Sequence, residues 1–312
     1  MTIAYLFPGQ GSQSVGMGRA LAEAYDAARQ TFEEADELLG FPLSRLMWNG
    51  PADELNDTLN TQPALYVHSL AARRVLAHRF PRLRPAFCAG HSLGELTALT
   101  AAGALPFDAG LRLARKRGEL MKRAGETSPG GMAAVLGLDI PVLEAVCAQA
   151  STADEIVQVA NDNCPGQVVI SGARPALERA LELAKEAGAR RLIPLAVSIA
   201  AHSPLMRSVQ EEFNAAVNAA PIADAAAPVV GNVAARPLSL AADLRADLRA
   251  QLTSRVRWTE SVRFMTGQGV TKFIELGHGG VLAALARRID ERIAAFSSAA
   301  PADFERLAEA LQ

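Results

Sequence analysis

The segment that most constrains this chain is Gly90-His91-Ser92-Leu93-Gly94, set between a short apolar run over 85–90 and a helix-like stretch ending near 102. The apolar run reads as a buried strand, and the change of periodicity after Gly94 reads as a helix. A chain that passes from strand to helix within so short a span must turn sharply. The flanking glycines let neighbouring segments approach without a Cβ clash. The pattern is that of a G-x-S-x-G elbow, which exposes the serine Oγ at a helix N-terminus. The next backbone N–H points where an oxyanion would form, and the helix dipole adds to the field. The same residues could form no more than a helix N-cap, but the strand before and the helix after favour a nucleophile.

The rest of the chain repeats this rhythm. Residues 3–7 form an apolar run ended by Pro8-Gly9, a strand entering a glycine-rich loop. Apolar spacing predicts helices over 18–39, 64–80 and 107–124. The middle of the chain differs: runs at 131–136, 156–161, 167–172 and 190–195 read as strands, with helices near 140–150 and 174–186. This is the β-α-β-β-α-β order of a ferredoxin-like unit, with Gly130-Gly131 and Pro194 as candidate hinges. Beyond His202 a strand at 229–233, helices at 238–251 and 258–268, a strand at 272–276 and a helix at 280–293 complete the pattern. The expected fold class is α/β. A large α/β-hydrolase-like domain with a parallel sheet (1–128 and 197–312) is interrupted by a small ferredoxin-like (βαββαβ) subdomain (129–196).

Composition supports that architecture and excludes several functions. Half of the 312 residues are apolar but only 5% are aromatic, so Ala, Leu and Val must build a core of helices packed on strands. The formal charge is −2 with both signs interspersed, unlike the basic stripe of a nucleic-acid binder. Cys88, Cys147 and Cys164 are too few and too scattered for a disulfide framework or a metal site, which points to a reduced cytoplasm. The first residues lack a basic leader, and no uncharged apolar stretch reaches the roughly 18 residues needed to span a bilayer. A soluble protein with no metal is expected.

A serine nucleophile requires a base. His68 and His78 fall within a helical stretch, and His91 should point away from Oγ on a tight turn. His202, in Ala-Ala-His-Ser-Pro-Leu-Met, and His278, in Leu-Gly-His-Gly-Gly, both remain as candidates. The loop Phe7-Pro8-Gly9-Gln10-Gly11-Ser12-Gln13 packs two glycines around Gln10 and suggests a second oxyanion donor. It is not a dinucleotide fingerprint, since Ser14 stands where glycine would be needed, and it lacks a P-loop lysine. Arg117, beside Arg112, Arg115 and Arg123, could be one more solvated charge on a helix.

Taken in order, several stretches resemble the malonyl-coenzyme A:acyl carrier protein transacylase family, which includes stand-alone polyketide synthase acyltransferases. They are Phe7 to Gln13, Thr61-Gln62-Pro63-Ala64-Leu65, Gly90-His91-Ser92-Leu93-Gly94-Glu95 and Arg117-Gly118-Glu119-Leu120-Met121. Asn163-Cys164-Pro165-Gly166-Gln167 through Gly172, His202-Ser203-Pro204-Leu205-Met206, Asn232-Val233 and Glu275-Leu276-Gly277 follow. The resemblance implies that Ser92 is the nucleophile and His202 its base. A backbone carbonyl, with Gln251 as the candidate, would orient the imidazole in place of a carboxylate. It makes the N–H groups of Gln10 and Leu93 the oxyanion hole, and places Gln62 and Asn161 as pocket and support residues. Arg117 becomes the clamp for a free carboxylate on the acyl group, because a planar guanidinium supplies two parallel charge-assisted bonds.

The implied activity is that of an [acyl-carrier-protein] S-malonyltransferase in fatty acid or polyketide biosynthesis. A malonyl group would pass from malonyl-coenzyme A through an acyl-serine to the phosphopantetheine thiol of an acyl carrier protein. The partners are then the carrier protein and the coenzyme A thioester, with no cofactor, and the chain is expected to act as a monomer. Two departures bear on the substrate. Ala201 precedes the histidine where many malonyl-selective members have Phe, leaving room for a 2-substituted malonyl group. Gly277-His278-Gly279 replaces a common Gly-Pro-Gly. Other readings are a malonate decarboxylase subunit, an α/β-hydrolase (esterase or thioesterase) using His278 with Asp243, and a non-catalytic docking subunit.

Overall fold

A computed structural model describes residues 2–195, 197 and 199–311. The strands are β1 (Ile3–Phe7), β2 (Phe87–Gly90), β3 (Gly130–Leu136), β4 (Val157–Cys164), β5 (Gln167–Ala173), β6 (Arg191–Pro194), β7 (Val229–Val230), β8 (Pro237–Leu238), β9 (Lys272–Leu276) and β10 (Ala294–Ser298). They form two sheets. The larger has the order β10-β9-β1-β2-β7-β8, parallel except for the short edge strand β8.

Every residue of β1 is buried, as a parallel strand covered on both faces requires. Its alternate side chains go to different cores, because successive residues of a strand point to opposite faces. Ile3, Tyr5 and Phe7 pack with Leu65, Leu70, Leu96 and Leu120, while Ala4 and Leu6 pack with Trp258, Val262 and Leu282. The fold class is α/β, with a separate antiparallel sheet of order β4-β5-β3-β6. The helices Ile140–Ala150 and Arg174–Glu186 cover that second sheet, giving it its own core around Val135, Leu143, Ile170 and Ala180. The order of its elements is βαββαβ. Of the expected 196/197 boundary, Ala196 lies outside the described residues.

The second sheet is tied to the larger domain through backbone. Asp162 N–H donates to the Val256 carbonyl at 2.9 Å, and Val256 N–H donates to that of Ala160 at 2.8 Å. This bridge joins β4 to the segment just after the helix Ala241–Gln251.

Several expected elements differ. The helix expected over 18–39 is two, Arg19–Ala24 and Asp26–Leu39, because Tyr25 is extended (φ −134°). The helix expected from 64 begins earlier and runs Thr58–Arg79 with Pro63 inside it. Proline removes the N–H that would bond the carbonyl four residues back. Here Arg115 Nη1 donates to that Leu59 carbonyl at 2.8 Å, and the Asp57 side chain caps the first turn. The strand at 229–233 is only Val229–Val230. The helix expected over 280–293 is Val281–Ile289; β10 and a final helix, Pro301–Leu311, follow it. Replacing Arg115 with Met should strip the Leu59 carbonyl of its donor and lower stability by about 1–2 kcal/mol. An unchanged urea midpoint would show that the proline turn needs no outside donor.

Candidate active site

The register of the large sheet sets Phe7 opposite Gly90, so the loop after β1 and the elbow after β2 leave the sheet side by side. They fit because both elbow glycines lack a side chain. A Cβ on Gly94 would sit 2.0 Å from the Phe7 carbonyl oxygen, and one on Gly90 would sit 1.9 Å from the Gly94 carbonyl. Ser92 occupies the turn at φ 53°, a left-handed conformation that a non-glycine residue adopts only when its surroundings impose it. Asn232 supplies that restraint. Its Oδ1 accepts the Ser92 N–H at 2.8 Å and its Nδ2 donates to the Gly90 carbonyl at 2.6 Å. The helix Gly94–Ala101 starts directly after the serine.

His202, also left-handed (φ 57°), places Nε2 2.8 Å from Ser92 Oγ. Its Nδ1 faces the backbone carbonyls of Gln251 at 2.9 Å and Ser254 at 3.2 Å. Two acceptors on that side require Nδ1 to carry the proton, so Nε2 presents a lone pair to the serine hydroxyl. Burial, reinforced by the nearby Arg117 charge, pushes the imidazole down to about 3 from its ordinary 6.5. It is therefore neutral at physiological pH. Gln158 of β4 steadies the segment by donating to the His202 carbonyl at 2.7 Å.

Arg117, on the helix Phe107–Thr127, is not solvated: it is 1% exposed. Nη1 donates to Gln62 Oε1 at 2.9 Å, and Nη2 donates to Gln251 Oε1 at 2.9 Å and to Ser92 Oγ at 3.1 Å. Its Nε has no partner among the described residues. Burial lowers the guanidinium to about 10, so it stays charged at neutral pH. The atoms that touch this cation are neutral, which leaves its charge directed at the cavity.

That cavity, about 390 Å³, opens at the junction of the two sheets. Gln10, Ser92, Leu93, Arg117, Asn161, Ala201 and His202 all line it. Apolar walls come from Met121, Met132, Val197 and Ile199. Gln62 and Gln251 stand behind the wall and hold Arg117 instead of facing the opening. His91 also lines the cavity, but its ring turns from Ser92 Oγ as expected, with Nε2 2.8 Å from Asn163 Oδ1 and the ring against Trp258. His278 lies elsewhere, with Nε2 2.7 Å from Ser14 Oγ. His68 is buried in its helix, bonding the Ala299 carbonyl at 3.1 Å.

Sequence reasoning passed over three contributors. Asn232 and Glu95 fell within matched stretches but carried no assigned task, since only the folded chain brings position 232 under the elbow. The Ser254 carbonyl, like any backbone acceptor, leaves no trace in residue type. Among the described residues no cluster of His, Cys, Asp or Glu could hold a metal ion.

Comparison with known proteins places this geometry. Residues 4–302 match the acyl transferase domain family. The chain is 45% identical over 312 residues to the malonyl CoA-acyl carrier protein transacylase of Bacillus subtilis, covering 99% of this chain and 97% of that protein. It is 43% identical to the protein of the same name from Haemophilus influenzae, covering 99% and 98%. Among solved structures, the transacylase from Xanthomonas oryzae superposes with a TM-score of 0.95 at 43% identity, covering 99% of each chain. A malonyl-transacylase in complex with its type II PKS acyl-carrier protein superposes at 0.96 with 40% identity, covering 99% and 100%. With the match running nearly end to end, the chain belongs to the malonyl CoA-acyl carrier protein transacylase family of acyl transferases.

Proposed function

We propose that this protein transfers a malonyl group from malonyl-coenzyme A to the phosphopantetheine thiol of an acyl carrier protein through an ester on Ser92. The observation that carries the reading is the convergence of one imidazole and one buried, charged guanidinium on the same hydroxyl. The imidazole explains a nucleophile. The guanidinium explains the acyl group: a plain fatty acyl chain would leave a desolvated cation without an anion, whereas malonate brings the carboxylate it lacks.

In the first half-reaction His202 Nε2 takes the Ser92 proton as Oγ attacks the thioester carbonyl. The negative charge that develops on the carbonyl oxygen falls toward the N–H groups of Gln10 and Leu93, aided by the N-terminus of the Gly94–Ala101 helix. The C–S bond then breaks, and the imidazolium returns its proton to the departing sulfur. The carrier's thiol reverses these steps, again through His202. Arg117 holds the distal carboxylate throughout. Backbone carbonyls suffice to orient the imidazole, since they fix the tautomer without adding a buried negative charge beside Arg117.

Ala201 on the cavity wall supports a second substrate, a 2-substituted malonyl group, because its methyl leaves space beside His202. Competition between malonyl- and methylmalonyl-coenzyme A decides between the two.

Incubation with malonyl-coenzyme A should add one malonyl group to the intact mass, located on Ser92. Replacing His202 with Ala should abolish the adduct while replacing His278 should not; the reverse outcome would favour a hydrolase arrangement. Arg117→Ala should reduce malonyl kcat/KM by roughly ten- to a hundredfold while improving use of acetyl-coenzyme A, as expected for losing bonds to a charged group. Equal losses for both substrates would refute the clamp. Because burial holds His202 at about 3, the base is already neutral well below pH 6.5. The acylation rate should therefore show no acid limb near 6.5, where an ordinary imidazole would titrate; a limb there would remove His202 as described.

A further inference from the structure

A buried acid pair lies beneath the clamp. Glu95 is 1% exposed and Asp247 6% exposed, and neither faces the cavity. Glu95 Oε2 accepts from Gln251 Nε2, and Oε1 faces the Asn232 N–H at 3.4 Å. Asp247 neighbours Glu95: the two carboxyls face consecutive main-chain N–H groups, Asn232 for Glu95 and Val233 for Asp247, which places them to share a hydrogen bond once one of them carries a proton. Each Asp247 oxygen has a main-chain donor, Val233 N–H at 3.1 Å and Ala234 N–H at 2.8 Å.

We propose that Glu95 is a positioning residue of the malonyl site, acting as a neutral carboxylic acid that holds the Gln251 amide in the one orientation able to serve Arg117 and the elbow together. The inference rests on the malonyl reading above. The Gln251 amide has one useful setting. Its oxygen accepts from Arg117 Nη2 at 2.9 Å, and its nitrogen donates to the Ser92 carbonyl at 3.0 Å as well as to Glu95. A flipped amide would set its NH2 against the guanidinium and its oxygen against two acceptors. The same residue's backbone carbonyl faces His202 Nδ1, a main-chain bond that a change in the side-chain amide leaves in place.

Neutrality follows from the surroundings. Two ionised carboxylates do not persist side by side out of water. Burial, and then Asp247, push the Glu95 carboxyl well above its usual range. A proton on Glu95 also has a use. An ionised Glu95 would draw on the Arg117 charge through Gln251, whereas a neutral one leaves that charge for the substrate's carboxylate.

The test compares wild type, Glu95→Gln and Glu95→Leu with malonyl- and acetyl-coenzyme A. A glutamine imitates the neutral acid: its oxygen accepts from Gln251 and its NH2 donates to Asp247. E95Q should therefore keep a malonyl-coenzyme A KM near that of wild type. E95L should raise that KM roughly tenfold, as expected for a disturbed bond to a charged group, with a smaller change in kcat and a weaker preference for malonyl over acetyl. An E95Q as impaired as E95L would mean that a negative charge is required, and an E95L with wild-type KM would mean that Glu95 positions nothing. Either result overturns the proposal.

Infrared difference spectra of wild type against E95Q near neutral pH supply a readout independent of turnover, and one that holds if E95L does not fold. The carbonyl band of a protonated carboxylic acid should be present in wild type and missing from E95Q; its absence from both overturns the proposal. The wild-type malonyl adduct is measured separately. Its absence would remove the malonyl reading while leaving the infrared result to stand or fall alone.

Discussion

The contact between the loop that leaves β1 and the turn that leaves β2 is the constraint on which the site depends. Parallel neighbours that end at the same level, Phe7 beside Gly90, deliver two loops to one point at the carboxyl edge of the sheet. At the Gly94 position the space is taken by the Phe7 carbonyl, and His91 N–H donates back to that carbonyl at 3.0 Å. Only from this starting point can Gln10 and Leu93 border one cavity and can Ser92 be held left-handed within reach of His202. The rest of the large domain packs helices on both faces of a sheet so that this edge stays where it is.

Much of this arrangement was legible in residue order. β1 and β2, the helix after the elbow and the alternation over 130–194 all announce themselves by periodicity, because each is either fully covered or cleanly two-faced. Ser92, His202 and Arg117 were named from motifs, and the structure brings all three to one hydroxyl. Where the reading went astray, the cause was a contact from elsewhere in the chain. Apolar spacing starts the helix at 64, whereas it begins at Thr58, where Asp57 caps it and Arg115, from another helix, bonds the Leu59 carbonyl that Pro63 leaves without a donor. β10 is built of Ala, Phe and Ser, too short and too small-sided to stand out, and exists because β9 offers it an edge. Asn232 and Glu95 act through partners more than a hundred positions away, which no local pattern encodes.

The electrostatic design is one of restraint. A cation is buried beside the Ser92 hydroxyl, yet its contacts are two amide oxygens and that hydroxyl, and the His202 imidazole is oriented by peptide carbonyls. An aspartate in that last position would have been a ready internal counterion. Choosing uncharged partners keeps the imidazole neutral and the guanidinium unneutralised, so the same omission serves both reactivity and recognition.

The backbone bridge between β4 and Val256 has a mechanical meaning. Because β4 also carries Gln158, which grips the His202 and Thr253 carbonyls, the inserted unit is stitched to the peptide segment that aims the imidazole. Rocking this unit would shear main-chain bonds and tilt the base with it. The slot between the two sheets therefore has its width set by assembly of the polypeptide, a jaw whose upper and lower teeth are already in register.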